Sequence, residues 1–217
     1  MTGVQTCALP ICYASQIKEL SDEGVELSIV IGGGNIFRGL EGVGKGFDRV
    51  KGDQMGMLAT VINGMSLQSS LENMGVKARV YTAVRMEPYA EYYVKERAIE
   101  SLNEGYVNIF TGGTGNPFFT TDSAAALRAL EINADALLKG TRVDGVFSED
   151  PEKNPNAKKY DSITYNEAIE KQLNVMDMTA FALCRDNKLP IIVFNVNKPK
   201  ELKKAIYEDH VGTLVHH

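Results

Sequence analysis

The chain has 217 residues, of which 44% are hydrophobic, which is enough for one substantial core and excludes a small peptide scaffold. Its formal net charge is −5 at pH 7, with lysine and arginine scattered, so neither nucleic acid nor an anionic membrane is an expected partner. Cys7, Cys12 and Cys184 make neither a disulfide framework nor a zinc quartet, and no apolar run approaches the roughly 20 residues of a membrane helix, which predicts a cytoplasmic protein.

Helices and strands alternate along the chain from Tyr13 onward. The first half predicts helices in "YASQIKELSDEG", "MGMLATVINGMSLQSSLENMG" and "AEYYVKERAIESLNEG", and strands in "VELSIVI", "VKARVYTAV" and "VNIFTGG". The second half predicts a helix in "TTDSAAALRALEINA", a strand in "DALLKGT", an exposed hairpin or lid at residues 149–161, two helical segments and the strand "LPIIVFNV". This alternation predicts an α/β fold in which helices cover both faces of a mainly parallel central sheet.

Three consecutive glycines follow the first predicted strand, in "VIGGGNIFRG". Because glycines carry no side chain, their backbone N–H groups can approach an anion closely, and Arg38 supplies the charge that such a loop needs. A tight turn is the alternative interpretation, and the stretch matches neither the dinucleotide fingerprint nor the P-loop pattern. The glycines and the arginine together favour local phosphate binding.

The stretch "FTGGTGNPFFTTDSAA" lies between a predicted strand and a predicted helix. Loops at the carboxyl ends of parallel strands bind ligands in folds of this kind. Thr120 and Thr121 offer hydroxyls, and we expect Thr121 or Asp122 to cap the helix, so that its N-terminal amides face the ligand. The alternative is an ordinary capped helix with Phe118 and Phe119 in the core, which leaves the density of glycine and threonine unexplained.

Charged residues near other element ends are further candidates. Four residues come together around one predicted strand end: Lys139, Thr141, Asp144 and Asp150. The lysine can neutralise a transferring phosphoryl group or remain an ordinary surface lysine, and Asp144, which precedes a glycine, is expected to be a turn residue. Asp53 and Asp177 stand at predicted helix starts, where helix capping is the alternative role for both. All three histidines lie at the end of the chain, so catalysis by a histidine acid or base is not expected.

With these motifs in place, the chain resembles the bacterial uridylate kinases (UMP kinases), a family with the amino-acid kinase fold. The motifs "VIGGGNIFRG", "GDQMGMLATVINGM", "GTGNPFFTTDSAA", "TRVDGVFSEDP" and "VMDMTAFALCRD" stand in the order and spacing of that family. The resemblance implies transfer of the γ-phosphoryl group of ATP to UMP, with Mg²⁺ accompanying ATP and no covalent intermediate. It also implies a homo-oligomer, hexameric in the intact form, with GTP and UTP as effectors.

The resemblance assigns roles to individual residues, position by position. The implied catalytic residues are Arg38, Asp122 and Asp177. The implied UMP-binding residues are Gly33, Asp53, Thr114, Gly115, Asn116, Pro117, Phe118, Phe119, Thr120 and Thr121. The implied ATP-binding residues are Gly34, Arg38, Thr141, Phe147 and Asp150, and no residue is assigned to a metal.

The opening "MTGVQTCALPIC" departs from the family pattern. Members begin with a buried strand resembling "LKLSGE", whose lysine reaches the ATP phosphates, whereas residues 1–11 here resemble the translation of a common sequencing-library adapter. We therefore expect residues 1–12 to be a non-native segment and residues 13–217 to form a single amino-acid kinase domain without its first strand. Such a polypeptide is expected to have weak kinase activity or none.

Two alternatives to a UMP kinase stay open on the sequence alone. One is a kinase of the same fold that acts on another small acid, such as a carboxylate or a carbamate. The other is a nucleotide-binding or storage protein that keeps the fold without turnover, an interpretation favoured by the absence of the phosphate-binding lysine.

Overall fold

The computed structural model describes residues 8–37, 48–208 and 211–217. The chain forms two compact units, Met1–Ala124 and Ala125–His217. The single domain that the sequence predicts for residues 13–217 stays a prediction.

The first unit is built around a parallel sheet. Its elements are α1 (Ala8–Asp22), β1 (Ser28–Val30), α2 (Arg49–Asn73), β2 (Ala78–Thr82), β3 (Glu91–Tyr92), α3 (Lys95–Asn103), β4 (Val107–Thr111) and the start of α4 (Thr121–Glu131). The strand order is β1-β4-β2-β3, and each neighbouring pair is parallel. Because β1 and β4 are neighbours, the glycine-rich loops that follow them leave the sheet side by side.

Local sequence signals account for the helix boundaries of this unit. In α1 the buried residues Ala14, Ile17 and Leu20 recur every three positions, and α1 packs against α2. The helix begins at Ala8 rather than at the predicted start, so it includes residues 8–12 of the segment that the sequence predicts to be non-native. Helix α2 also begins earlier than predicted, because the Asp48 carboxylate accepts a hydrogen bond from the Lys51 N–H and caps it.

The second unit contains a mixed sheet. Its elements are β5 (Leu137–Thr141), β6 (Ser162–Thr164), α5 (Tyr165–Glu170), α6 (Met178–Asp186), β7 (Ile191–Asn195), α7 (Glu201–Tyr207) and β8 (Thr213–His216). The strand order is β5-β7-β8-β6, with β7 and β8 antiparallel and the other two pairs parallel. Its core is a single cluster of buried side chains that includes Ala126, Tyr165, Phe181, Ile191 and Val215.

The predicted α/β fold, with mainly parallel strands flanked by helices, is confirmed. Residues 91–92 form a short strand beside β2 where the sequence predicts a helix. The sequence does not predict β6, α7 or β8, because these elements are too short to show a periodic pattern. An antiparallel bridge joins Phe147 to Lys159 around the segment predicted as a hairpin or a lid, which is the arrangement of a hairpin.

Within the described residues, every helix is too short or too polar to cross a membrane.

Candidate functional site

A cavity of about 230 Å³ lies in the first unit. Its walls come from the glycine loop after β1, the first half of α2, and the loop between β4 and α4. Of the residues assigned to UMP, it is lined by Gly33, Asp53, Thr114, Asn116, Phe119, Thr120 and Thr121. Gly115, Pro117 and Phe118 belong to the same loop without lining the cavity, whereas Gly34, which is assigned to ATP, does line it.

The glycine loop is held against α2 by close packing. A Cβ at Gly33 would lie 2.6 Å from the carbonyl oxygen of Gly56 and 2.8 Å from the Cβ of Ala59. Only glycine therefore fits at this point. Asn63 of α2 also donates a hydrogen bond from its side-chain amide to the Gly32 carbonyl, at 2.7 Å. Packing and this hydrogen bond together fix the loop to the helix.

Thr60 joins α2 to the start of the loop after β4. Its hydroxyl donates to the Met57 carbonyl at 2.6 Å and accepts a hydrogen bond from the Gly112 N–H at 2.7 Å. Gly112 has a φ of +75°, and a Cβ there would lie 2.9 Å from the hydroxyl oxygen of Thr82. Because Thr60 is buried, its hydroxyl satisfies a backbone N–H that water does not easily reach.

Asp53 ties α2 to the other end of the same loop. Its Oδ2 accepts a hydrogen bond from the Phe118 N–H at 2.8 Å. Both carboxylate oxygens also accept from Nε of Arg49, at 2.8 and 3.0 Å. Helix capping, the alternative role for Asp53, is wrong because Asp48 caps α2 and Asp53 lies inside the helix.

Thr120 caps helix α4. Its hydroxyl accepts hydrogen bonds from the N–H groups of Asp122 at 3.1 Å and Ser123 at 3.3 Å. The expectation that Thr121 or Asp122 is the cap is therefore wrong, since Thr121 is the first residue of the helix and Asp122 the second. The sequence "TTD" offers three adjacent capping residues, and only the backbone conformation selects among them.

The loop between these anchors presents polar groups and exposed rings. Phe118 and Phe119 are 66% and 50% exposed, so the alternative that places both rings in the core is wrong. Asn116 donates its N–H to the Thr114 hydroxyl at 3.2 Å, which turns the loop. The hydroxyls and amides of the loop, and the Phe119 ring that lines the cavity, are groups of the kind that orient a polar ligand with a planar base.

A second cavity, of about 490 Å³, lies in the second unit. Thr141, Phe147 and Asp150, the residues of this unit that are assigned to ATP, all line it. The Thr141 hydroxyl donates to the Val143 carbonyl at 2.7 Å, which turns the chain at the end of β5. Residues 171–174, which follow α5, also line this cavity.

Two acids shape the structure around this second cavity. The Asp150 carboxylate accepts a hydrogen bond from the Glu152 N–H at 3.0 Å and so begins a turn. Asp144, which precedes the lining residue Gly145, forms an ion pair with Lys198 at 2.8 Å and accepts from the Asn195 side chain at 2.9 Å. The hydrogen bond from Lys198, and then that from Asn195, hold the pKa of Asp144 below its ordinary value.

Comparison with known proteins places this geometry in a family. The sequence model of the Amino acid kinase family matches residues 12–195 of the chain. The chain belongs to the amino acid kinase family. A uridylate kinase of Porphyromonas gingivalis is 61% identical over 203 residues, which cover 94% of this chain and 85% of that relative. A uridylate kinase of Phocaeicola vulgatus is 60% identical over 204 residues, which cover 94% of this chain and 86% of that relative.

Solved structures of the same family share the fold. The crystal structure of UMP kinase from Bacillus anthracis matches with a TM-score of 0.92 at 42% identity, covering 95% of this chain and 86% of that chain. UMP kinase from Ureaplasma parvum matches with a TM-score of 0.91 at 39% identity, covering 96% of this chain and 88% of that chain. The amino-acid kinase fold that the sequence predicts is confirmed.

The three residues assigned to catalysis lie in different parts of this amino acid kinase. Asp177 caps α6 by accepting a hydrogen bond from the Ala180 N–H at 2.9 Å, so the capping role holds for this acid. Asp122 lies in the first turn of α4, where the negative charge of a carboxylate interacts favourably with the positive end of the helix dipole. Arg38 lies outside the described residues. Their catalytic roles stay predictions.

The sequence analysis misses three residues that line the first cavity of this amino acid kinase or hold its walls in place: Arg49, Thr60 and Asn63. Arg49 pairs with Asp53 at a spacing of four residues, which is a readable signal within a helix. Thr60 and Asn63 carry no such signal, because their partners lie 52 and 31 residues away along the chain. Over residues 8–37, 48–208 and 211–217, no group of three or more His, Cys, Asp or Glu side chains is arranged to hold a metal ion.

Proposed function

We propose that this chain transfers the γ-phosphoryl group of ATP to UMP, giving UDP and ADP, as a step of pyrimidine nucleotide biosynthesis. One observation carries the proposal: Gly33 of the glycine loop, Asp53 of α2 and several residues of the loop after β4, which are assigned to UMP from three separate parts of the sequence, line one cavity. The relatives at 60% and 61% identity are uridylate kinases, which supports UMP as the acceptor.

UMP occupies the cavity of the first unit in this proposal. Gly33 and Gly34 line the cavity, so backbone N–H groups of the glycine loop are available to a phosphate there, and Thr114, Asn116 and Thr121 offer hydrogen-bonding groups to the base and ribose. ATP occupies the cavity of the second unit, beside Thr141, Phe147 and Asp150. Mg²⁺ enters as part of the substrate MgATP, since this ion is commonly held by nucleotide phosphates together with only one or two carboxylates.

The proposed reaction needs no side-chain base. An oxygen of the UMP phosphate attacks the γ-phosphorus of ATP, the bond from that phosphorus to the β–γ bridging oxygen breaks, and ADP leaves with the electron pair. The attacking phosphate is already ionised at neutral pH, because its second pKa is about 6. The protein contributes alignment and charge neutralisation, with Arg38 facing the transferring phosphates and Asp122 and Asp177 organising the reacting groups.

We extend the proposal to a homo-oligomer, hexameric in the intact form, with GTP and UTP as effectors. An apolar stripe on α2 supports self-association: Met55, Leu58, Ile62 and Met65 are 37%, 49%, 58% and 41% exposed. Their spacing of three, four and three residues is that of a helix seam that packs against another helix. Light scattering of the purified chain is expected to give a multimer, and a monomer at micromolar concentration would contradict this part of the proposal.

The interpretation of the chain start stays a prediction, and so does the cytoplasmic location. The expectation of weak kinase activity stays a prediction as well. Amplifying the source DNA across the start of the "YASQIKEL" stretch tests the adapter interpretation. An intact join in the genome would overturn it.

The function is tested by measuring UDP formation and ligand binding on the same preparation. The purified chain is mixed with MgATP and, in turn, UMP, acetylglutamate, aspartate and carbamate. We expect binding of ATP and UMP, with phosphoryl transfer to UMP alone and at a low rate. Transfer to one of the other acids would support the alternative kinase, and binding of both nucleotides without any UDP would support the storage protein.

A further inference from the structure

Arg49 does not line the first cavity, yet it contacts two residues of the machinery around it. Its Nε lies 2.8 and 3.0 Å from the carboxylate oxygens of Asp53, which does line the cavity. Its guanidinium carbon lies 5.4 Å from the centre of the Phe118 ring, within the range of a cation–π contact. We propose that Arg49 is a positioning residue for UMP, acting through Asp53 and Phe118 on the shape of the loop at residues 113–119.

The backbone of Phe118 explains why this loop needs support. Phe118 has a φ of +71°, in the left-handed region that disfavours a residue with a side chain. Its ring is mostly exposed, so core packing does not hold it in place. The Asp53 carboxylate holds its N–H at 2.8 Å, and the Arg49 guanidinium covers its ring. The conformation of Phe118 therefore depends on this pair.

The charge of Asp53 gives the arginine a second effect. The Asp53 side chain is only 15% exposed, so its negative charge is poorly screened by water. It faces a cavity that the proposed function assigns to UMP, itself an anion. Arg49, at 35% exposure, offsets the carboxylate at a distance of 2.8 Å. Without the arginine, the charge of Asp53 would repel the anionic ligand. The loop would then keep the hydrogen bond from the Phe118 N–H to Asp53 but lose the contact of the guanidinium with the Phe118 ring.

The alternative is an ion pair that only stabilises the helix, which the chain also contains. Lys18 and Asp22 form such a pair at a spacing of four residues in α1, at 2.8 Å, and neither residue lines the first cavity. Exposed pairs of this kind contribute little to stability. Lys18→Gln is therefore the matched control for Arg49→Gln.

The proposal rests on the assignment of UMP to the first cavity, so the experiment reports on the two separately. Dissociation constants for UMP and for ATP are measured by calorimetry on the full chain, with the thermal midpoint and the amide exchange of residues 113–119. Arg49→Gln is expected to weaken UMP about tenfold through loss of a partly exposed charge-assisted hydrogen bond, and to leave ATP affinity within about twofold. Amide exchange of the loop is expected to be faster in Arg49→Gln. Arg49→Lys is expected to recover most of the UMP affinity. Lys18→Gln is expected to change neither the UMP affinity nor the amide exchange of the loop.

Phe118→Ala keeps the ion pair and removes an exposed ring, so it is expected to fold and to weaken UMP by a smaller factor. Equal UMP affinity in Arg49→Gln and Lys18→Gln would overturn the proposal. So would a loss of UMP and ATP affinity together with a lowered thermal midpoint, which is the result of general destabilisation. If the unaltered chain binds ATP but not UMP, the assignment of UMP itself fails, and unchanged loop exchange in Arg49→Gln would independently remove the positioning role.

Discussion

The loop after β4 and the segment at residues 148–158 border the two cavities, and they are held in different ways. The first is tied to α2 by hydrogen bonds to Gly112 and Phe118 whose partners lie 52 and 65 residues away. The second is held mainly by bonds that span 10 residues or fewer, such as those of Asp150, Asn154 and Ser148. Long-range anchoring makes the shape of the first cavity depend on the fold of its unit, whereas the second keeps a locally adjustable rim.

The largest effect on UMP affinity is expected where the glycine loop packs against the backbone of α2, beside the first cavity. In Gly33→Ala the new Cβ would meet the Gly56 carbonyl oxygen at 2.6 Å, so the glycine loop must move. Such overpacking costs about 1–3 kcal/mol. The displaced loop fits UMP less well, and UMP affinity falls roughly five- to 150-fold. Calorimetric titration with UMP measures this.

Gly32→Ala is the control for this change, because the nearest atom to its Cβ is the Thr121 hydroxyl oxygen at 3.5 Å, an ordinary contact. It is expected to bind UMP as the unaltered chain does. Equal UMP affinity in both alanine variants would show that the glycine loop is not the rigid wall described for the first cavity.

The next largest effect is expected at the buried anchor of the loop. Thr60→Val keeps the shape of the side chain but leaves the Gly112 N–H without its partner. An unsatisfied buried donor costs about 1–3 kcal/mol in the free energy of unfolding. Urea unfolding measures the change, and Thr60→Ser, which retains the hydroxyl, is expected to lose less than the valine variant. The reverse order would contradict the role of the hydroxyl.

A smaller effect is expected at the rim of the second cavity. Asp150→Ala removes the hydrogen bond to the Glu152 N–H and a surface ion pair with Lys153 at 3.5 Å. Because both are local and exposed, we expect the free energy of unfolding to change by less than about 0.5 kcal/mol. ATP affinity should fall a few-fold with UMP affinity unchanged, whereas Lys153→Ala, which removes only the ion pair, should preserve both. A large loss of stability in Asp150→Ala would show that this rim is not locally held.

The smallest effect is expected at Asp144, whose pKa is lowered by hydrogen bonds from Lys198 and then Asn195. A carboxyl whose pKa is lowered on folding stabilises the protein above its unfolded pKa of about 3.9, and this contribution is lost as the pH falls through the folded value. Asp144→Asn should therefore be slightly less stable than the unaltered chain at pH 7, with a difference that shrinks as the pH is lowered below the unfolded pKa. Urea unfolding above and below that pKa measures it, and a difference that grows at low pH would contradict the assignment.

The sequence predicts those features of the molecule that are determined by residues close together along the chain. Hydrophobic periodicity and glycine positions locate most helices and strands, and the strand–loop–helix order brings the glycine and threonine loops to the same end of one sheet. The choice of Thr120 rather than Thr121 or Asp122 as the cap depends on backbone angles that three adjacent capping residues leave open.

The sequence does not predict the anchors of the first cavity. The role of Asp53 depends on where α2 begins, and Asp48 sets that start five residues earlier than the aspartate taken for a cap. Thr60 and Gly112 become neighbours only when β4 packs beside α2, so no local pattern contains their hydrogen bond. The features that shape the cavity are therefore those that require the assembled unit.

The most direct test of the central claim, that the first cavity binds UMP, is calorimetric titration of the unaltered chain, Gly32→Ala and Gly33→Ala with UMP, acetylglutamate and ATP. The account predicts saturable binding of one UMP per chain, weaker UMP binding in Gly33→Ala alone, unchanged ATP binding in all three, and no binding of acetylglutamate. UMP binding that is absent from the unaltered chain, or that survives unchanged in Gly33→Ala, would contradict it.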